Sequence, residues 1–143
     1  MASKNYPIII SIKHEYCDLI YRGYKTIELR KTMPKDSRSF LAYIYDTSLK
    51  HITGLMDVSH ILEVPKITDT LCSKACVSPD FAERYKAQGK GKLYAWFIES
   101  NSFYDENWLT LEDLHVTRAP QSWQYLPEQK IPYIKIQPCF SKE

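Results

Sequence analysis

The sequence predicts one α+β domain built on a mixed, mostly antiparallel β-sheet or barrel with flanking helices. The predicted order is a strand, a helix, several strands, a helical insert at 65–91, and further strands. That order lacks the regular alternation of strands and helices that a parallel doubly wound sheet requires. With 143 residues, no internal repeat and no low-complexity linker, the chain has the size of a single domain over 1–143.

The chain begins with a predicted strand over 6–13, whose β-branched residues make it too apolar for a solvent-exposed strand. Such a strand is typical of the middle of a sheet. Helical spacing follows over 14–22, with Tyr16 and Ile20 on one side. Gly23 stands where a helix C-terminus favours a left-handed residue, so we expect the helix to end there.

A period of two returns after Lys25, which predicts a second strand. Ile27 and Leu29 share one face of this strand, while Glu28 and Arg30 share the other. The second strand therefore presents a polar stripe.

The remaining elements follow from local composition. Segments rich in aromatic and β-branched residues predict further strands over 40–45, 52–64, 92–98 and 131–136, of which 52–64 is either one long strand or a bent pair. Segments whose residue pattern fits a helix better than a strand predict short helices over 67–71 and 79–85, inside the insert, and a helical turn over 110–114.

Composition limits the function classes that the chain can serve. Nineteen Lys and Arg residues against seventeen Asp and Glu residues leave a formal charge of +2. This net charge is too small for the whole surface to attract a polyanion such as a nucleic acid. Contact with nucleic acid therefore requires a local basic patch. No apolar run approaches the roughly 20 residues of a membrane helix, and residues 1–5 lack the apolar stretch of a secretion signal. We expect a soluble cytoplasmic protein without membrane contact.

Residues 23–30, Gly-Tyr-Lys-Thr-Ile-Glu-Leu-Arg, form the most specific motif in the chain. This segment matches the G-x-K-x-x-E-x-R signature of the ASCH family, and it follows the expected strand and helix. Three further stretches, 43–45, 93–96 and 119–123, resemble a bacterial and phage branch of that family. The resemblance covers nearly the whole chain, and it implies a PUA-like β-barrel with a cleft beside the signature.

The family resemblance also implies a choice of functions. Relatives are proposed to hold RNA or a modified nucleoside in this cleft, so either is the expected partner, and DNA is a further candidate. The small bacterial ASCH amidohydrolases remove the acetyl group from N4-acetylcytidine with a lysine and a threonine of the signature and a distant glutamate. Lys25 matches their lysine, whereas Glu28 stands at the position of their threonine. The alternative is a noncatalytic module that regulates translation or transcription by gripping nucleic acid, and a third class is a protein-interaction domain.

The amidohydrolase hypothesis gives each polar residue of the motif a role. Lys25 would position or activate the nucleophile, and Glu28 would relay a proton to water. Arg30 or Ser11 would stabilise the oxyanion. In a second interpretation, Glu28 and Arg30, two residues apart on one strand face, form a charge network that closes the barrel.

The binding hypothesis uses the same segment without catalysis. Phosphates would meet four basic residues, Lys13, Lys25, Arg30 and Lys31, while an aromatic side chain stacks on a base. The candidates for stacking are Tyr24, Tyr45 and Trp123. Most other aromatic residues at strand spacing are expected in the core.

An irregular stretch after Pro120 supplies candidates for the rim of the cleft. Gln121 and Ser122 would lie there, and an amide reads a base edge by donating and accepting hydrogen bonds together. For Trp123 the alternative interpretation is a plug that covers one end of the barrel.

His14 and the cysteines are the other chemically active candidates. His14 follows Lys13 at the mouth of the predicted cleft and carries a group that titrates near neutral pH, or it is simply an exposed histidine at a helix start. Cys72 and Cys76 are four residues apart, a spacing that suits zinc poorly, and no second cysteine pair completes a site. We expect free thiols, no metal and no cofactor.

Overall fold

Seven strands form one sheet in the described part of the chain, which in this computed structural model comprises residues 7–35, 38–104, 108–126 and 137–138. The strands are β1 (Ile8–Ile12), β2 (Ile27–Arg30), β3 (Phe40–Asp46), β4 (His51–Glu63), β5 (Tyr94–Phe103), β6 (Trp123–Tyr125) and β7 (Gln137–Pro138). The helices are α1 (His14–Tyr21), α2 (Asp69–Ala75) and α3 (Pro79–Gln88), with a short 3-10 helix at Glu112–Leu114.

The strand order is β2-β5-β4-β3-β1-β6, and β7 lies beside β5. Strands β1 and β3 pair in parallel, whereas the other strand pairs are antiparallel. The predicted α+β class with a mixed, mostly antiparallel sheet is therefore confirmed. Irregular register in β4, at Asp57 and Val58, interrupts its pairing with β5, and such bulges bend a sheet.

The sheet curls into a half-barrel whose two edges, β2 and β6, approach each other. The Trp123 indole Nε1 donates a hydrogen bond of 2.9 Å to the Thr32 hydroxyl, just after β2. Arg30, the last residue of β2, donates bonds of 2.8 Å to the Ser11 carbonyl and 3.0 Å to the Ser122 hydroxyl. Side chains therefore link the two edges, and they leave room for a cleft at that junction.

Strand β1 is buried on both faces, as its sequence predicts. Ile8 and Ile10 belong to a core cluster with Phe40 and Trp96, while Ile9 packs in a second cluster on the opposite face. All three isoleucines have no exposed surface. Helix α1, which follows β1, ends as predicted, because Gly23 adopts a left-handed φ of 84° and its N–H donates to the Ile20 carbonyl at 3.0 Å.

The helical insert consists of α2 and α3, and each helix begins at a capping side chain. The Thr68 hydroxyl accepts a hydrogen bond from the Leu71 N–H, and the Ser78 hydroxyl accepts one from the Phe81 N–H, both at 3.1 Å. A third core cluster, in which Ala75 is fully buried, joins the insert to β2. The insert therefore forms a wall beside the strand that carries the motif.

Some details differ from the sequence-based expectations, and one cannot be compared with the structure. Helix α2 begins at Asp69, after its Thr68 cap, rather than at 67. The stretch after Pro120 is not wholly irregular, because the short strand β6 pairs with β1. The strand predicted over 131–136 lies outside the described residues. Within the described residues, no helix is long and apolar enough to cross a membrane.

Candidate ligand cleft

A cleft of about 410 Å³ lies where the end of β1, strand β2 and the helical insert meet. Its polar lining residues are Ser11, Lys13, Lys25, Glu28, Arg30, Thr47 and Gln121. Its aromatic and aliphatic lining residues are Ile12, Tyr16, Leu29, Val77, Phe81 and Tyr85. The motif residues thus meet side chains from β1, α1 and the insert at one place.

Lys25, Glu28 and Arg30 form a buried ionic triad in the wall of this cleft. Their exposed fractions are 3%, 6% and 8%. One carboxylate oxygen of Glu28, Oε1, lies 3.2 Å from the Lys25 ammonium. The other, Oε2, accepts a hydrogen bond from Arg30 Nε at 2.8 Å and forms an ion pair with Arg30 Nη2 at 2.6 Å. The three side chains therefore line the cleft and also form a charge network, so both interpretations of the motif apply to them.

The charge state of Glu28 follows from this arrangement. Burial by itself raises the pKa of the Glu28 carboxyl, but the charges of Lys25 and Arg30 and their hydrogen bonds outweigh it, so the pKa is lowered. Glu28 is consequently an ionised carboxylate at neutral pH. An acceptor held in its ionised form is available for hydrogen bonding, although it is a weaker base than a carboxylate in an apolar pocket.

Arg30 uses most of its hydrogen-bonding capacity to hold the site together. A guanidinium has five N–H donors, and within the described residues three of them donate to Glu28 Oε2, the Ser11 carbonyl and the Ser122 hydroxyl, while Nη2 also forms an ion pair with Glu28 Oε2. One N–H, on Nη1, is left for a ligand. The main role of Arg30 is therefore to hold Glu28, Ser11 and Ser122 in place, and one N–H remains to bind a ligand.

Lys25 is fixed between the motif and the insert. Its ammonium donates a 2.6 Å hydrogen bond to the Ala75 carbonyl at the end of α2 and faces Glu28. It also lies 5.0 Å from the centre of the Tyr16 ring, a distance at which a cation is attracted to an aromatic face. Because an ammonium has three N–H donors, one remains beside that ring.

The aromatic wall of the cleft comes mainly from the insert. Phe81 and Tyr85, one turn apart on α3, have ring centres 5.7 Å apart and nearly parallel planes at 13°. The Lys31 ammonium sits 4.7 Å above the Tyr85 ring. The sequence analysis did not predict this wall. The spacing of four residues between Phe81 and Tyr85 does indicate that both rings lie on one face of the helix.

The sequence-based site candidates divide into two groups in the structure. Six of them line the cleft: Ser11, Lys13, Lys25, Glu28, Arg30 and Gln121. Ser122 lies behind Arg30 and accepts its hydrogen bond. The Ser11 hydroxyl donates to the Pro120 carbonyl at 2.7 Å, so its proton is already engaged.

The other four candidates, His14, Tyr24, Tyr45 and Trp123, do not line this cleft. His14 pairs with Asp46 at 2.6 Å and lines a second cavity. Tyr24 is exposed, whereas Tyr45 is buried in the second core cluster. Trp123 packs edge-on against Trp96 at the junction of the sheet edges.

Comparison with known proteins identifies the family. The ASCH domain family model matches residues 10–115, and the chain therefore belongs to the ASCH domain family. No curated protein matches the chain. Within the described residues, no group of three His, Cys, Asp or Glu side chains is arranged to hold a metal ion.

Solved ASCH structures share this fold. The crystal structure of ASCH from Zymomonas mobilis aligns with a TM-score of 0.67 at 23% identity, covering 86% of this chain and 89% of that chain. A tyrosine-to-phenylalanine variant of that protein also gives a TM-score of 0.67, at 21% identity, with 87% and 92% covered. A serine-to-alanine variant gives a TM-score of 0.67 at 21% identity, with 89% and 92% covered.

Proposed function

We propose that the cleft binds a base of RNA or a modified nucleoside. The observation that carries this proposal is the combination, in one cleft of about 410 Å³, of an aromatic wall and an ionised polar triad. Unpaired bases are recognised by stacking on aromatic rings and by hydrogen bonds to their edges. Tyr16, Phe81 and Tyr85 supply the rings, and the triad and Gln121 supply the polar groups.

The free hydrogen-bonding positions of the triad fit the edge of a base. Glu28 Oε1 has one lone pair beyond its contact with Lys25, while Lys25 and Arg30 each retain one N–H. One acceptor beside two donors matches a base edge that presents an amino group next to a carbonyl or ring nitrogen. Gln121 adds an amide that both donates and accepts.

Phosphates of an RNA strand have basic partners near the aromatic wall. Lys13 lines the cleft, and Lys31 lies over the Tyr85 ring and donates to Gln88 at 3.3 Å. Helix α3 and the turn after it carry further basic residues, Arg84, Lys86, Lys90 and Lys92. We infer that these residues form the local basic patch that RNA binding requires in a protein with a formal charge of only +2.

A binding assay with paired tyrosine variants tests the proposal. Short single-stranded RNA, the matching DNA and a panel of modified nucleosides are titrated against the wild type, Tyr85→Leu and Tyr24→Leu. Because stacking contributes about 1–3 kcal/mol per base, Tyr85→Leu should weaken binding by at least about fivefold, whereas Tyr24→Leu leaves it unchanged. Equal loss in both variants, or no binding by the wild type, would refute the assignment of the cleft. The DNA arm shows whether a 2′-hydroxyl is required.

Amide hydrolysis of an acylated base is the second candidate function, and the observation that favours it is that one cleft brings a carboxylate, Glu28, together with the N–H donors of Lys25 and Arg30. Water would attack the acyl carbon and give its proton to Glu28, while the free N–H groups of Lys25 and Arg30 stabilise the oxyanion. The C–N bond then breaks, and the amine leaves with the proton returned by Glu28. The engaged proton of Ser11 makes Arg30 the better oxyanion donor of the two residues predicted for that role.

Mass spectrometry of N4-acetylcytidine incubated with the protein separates hydrolysis from binding alone. Wild type should produce cytidine and acetate, Lys25→Ala should reduce the rate by at least about a hundredfold, and the exposed control Lys74→Ala should retain it. If nucleosides bind but none is turned over, the binding function stands and the amidohydrolase function fails.

A further inference from the structure

A second cavity, of about 200 Å³, lies on the other side of α1 from the candidate cleft. The two cavities are separated by the junction of β1 with α1 and by the end of β3. Lys13 and Thr47 line the first cavity, whereas their chain neighbours His14 and Asp46 line the second. Nothing in the motif at 23–30 contributes to the second cavity.

The lining of the second cavity combines aromatic side chains with the polar side chains of His14, Asp18, Asp46 and Thr53. Tyr21, Phe103, Tyr104 and Trp108 form its walls, and the Tyr21 and Phe103 rings lie 5.8 Å apart. Leu49 and Trp108, at its rim, are among the few large apolar side chains that the described residues leave exposed, at 39% and 40%. Apolar side chains exposed around a concave surface commonly mark a binding site.

One oriented imidazole provides the polar anchor of this cavity. His14 Nδ1 lies 2.6 Å from Asp46 Oδ2, and Asp46 is itself held by the backbone N–H groups of Ser48 and Leu49, at 2.9 and 3.0 Å. A carboxylate on one ring nitrogen fixes the orientation of the imidazole. Within the described residues Nε2 meets no partner, and because the His14 side chain is 56% exposed, this nitrogen is accessible to a ligand at the mouth of the cavity.

We propose that this cavity binds a single-ring aromatic molecule that carries a hydroxyl group, with the hydroxyl on His14 Nε2 and the ring against the aromatic walls. Size supports one ring, because an apolar cavity of about 150 Å³ holds benzene. Chemistry supports the hydroxyl, since it both donates and accepts and therefore pairs with either protonation state of His14. Cys17, although it lines the cavity, is not a nucleophile there, because burial raises the pKa of its thiol well above the ordinary range.

Phenol is the probe, and NMR of the full-length protein is the measurement. Phenol should shift the His14 ring signals and the Trp108 indole N–H, and it should leave the Lys25 and Tyr85 signals in place. Benzene, which fits the walls but cannot reach Nε2 with a polar group, should bind about three- to tenfold more weakly.

The variant His14→Asn separates a binding role from a structural one. Its amide retains a donor toward Asp46 but offers nothing at the position of Nε2, so the fold should persist while phenol binding weakens by about three- to tenfold. His60→Ala, which removes an exposed histidine stacked on Phe97 elsewhere, is the matched control and should change nothing. Shifts at Lys25 and Tyr85 instead of His14, no shifts at all, or equal affinity of wild type and His14→Asn would overturn the proposal.

Discussion

Glu28 is the residue on which both the fold and the cleft depend, because its carboxylate joins two buried cations. Lys25 and Arg30 approach it from opposite sides, at 3.2 and 2.6 Å. Removing one member of a buried ionic network leaves the others without compensation, which costs more than the network contributes. The same three side chains line the proposed binding site. A substitution of any of them can therefore change both stability and ligand binding, so the two must be measured separately for each variant.

Substitution Glu28→Gln tests the energetic role of the triad. The amide keeps the size of the side chain but removes the negative charge between two cations, so the free energy of unfolding should fall by about 3–5 kcal/mol. Urea denaturation measures this loss. The control Asp18→Asn breaks an exposed pair with Arg22 and should cost less than about 1 kcal/mol. A loss below 1 kcal/mol in Glu28→Gln would show that the triad is not an interdependent unit.

The pH dependence of stability gives a second test of Glu28. Its pKa is lower in the folded protein than the ordinary 4.5, because the charges of Lys25 and Arg30 outweigh its burial. The unfolded chain therefore binds a proton first as the pH falls. The contribution of Glu28 is fully present above about pH 4.5 and is lost as the pH falls through the folded-state pKa.

Asp46 also has a lowered pKa and therefore contributes to the pH dependence of stability. Its contribution is the same in wild type and in Glu28→Gln, so the difference between these two proteins isolates the effect of Glu28. Urea unfolding measured from neutral pH to about pH 3 should show the difference between the two proteins shrinking with acidity. A difference that stays constant over this range would mean that the pKa of Glu28 is not lowered by folding.

At the scale of the elements, β4 lies so close to β5 and α1 at Gly54 that only glycine fits there. A Cβ added to Gly54 would lie 2.8 Å from the Tyr21 hydroxyl and 2.9 Å from the Phe103 Cα, and it would collide with the Ser102 carbonyl oxygen. Gly54→Ala should therefore cost about 1–3 kcal/mol of stability. It should also disturb the Tyr21 side of the second cavity.

The control for Gly54→Ala is Gly91→Ala, where an added Cβ meets nothing within 4 Å but φ is +81°. Its cost should be limited to the strain of an L residue at positive φ, about 1–2 kcal/mol. Thermal unfolding of the two variants measures the difference. Equal costs would indicate that β4 moves aside and that the close approach at Gly54 is not a constraint.

The elements themselves were predictable where local chemistry decides them. The apolar run of β1, the helix stop at Gly23 and the period of two in β2 depend on neighbouring residues, and the structure has all three. Strand β6 has only three residues, too few to show a period. Tyr45 was predicted to stack on a base, but an irregular register between Ile44 and Tyr45 accompanies its burial in the second core cluster. No local pattern reveals that register.

The candidate site was predictable only for the residues that the motif contains. Lys25, Glu28 and Arg30 follow one another on a single strand segment, so their proximity is a local property. Phe81 and Tyr85 reach the same cleft through contacts of the insert with β2. The spacing of four residues indicates that the two rings share a helix face, but the position of that face at the cleft depends on tertiary packing across about fifty residues of chain, which the spacing does not show.

At the scale of the whole molecule, Arg30 holds the half-barrel closed, because its guanidinium connects the end of β2 to Ser11 on β1 and to Ser122 before β6. Arg30→Met retains the length of the side chain and removes these bonds. The junction of the two sheet edges should then open, with faster hydrogen exchange at the Ser11 N–H, which donates to the Ser122 carbonyl at 2.9 Å.

Trp123 provides the second readout of closure, since it bridges the junction through its bond to Thr32 and its contact with Trp96. Its fluorescence should shift to the red in Arg30→Met as water enters, whereas the control Arg22→Met, which breaks only an exposed pair with Asp18, should leave it unchanged. Exchange in the central strands β3 and β4 should rise only as far as the global loss of stability from breaking the triad requires, and exchange at the Ser11 N–H should rise further, because the pairing of β3 with β4 does not depend on the junction. If exchange accelerates equally in all strands, Arg30 stabilises the fold globally and does not act as the closing link.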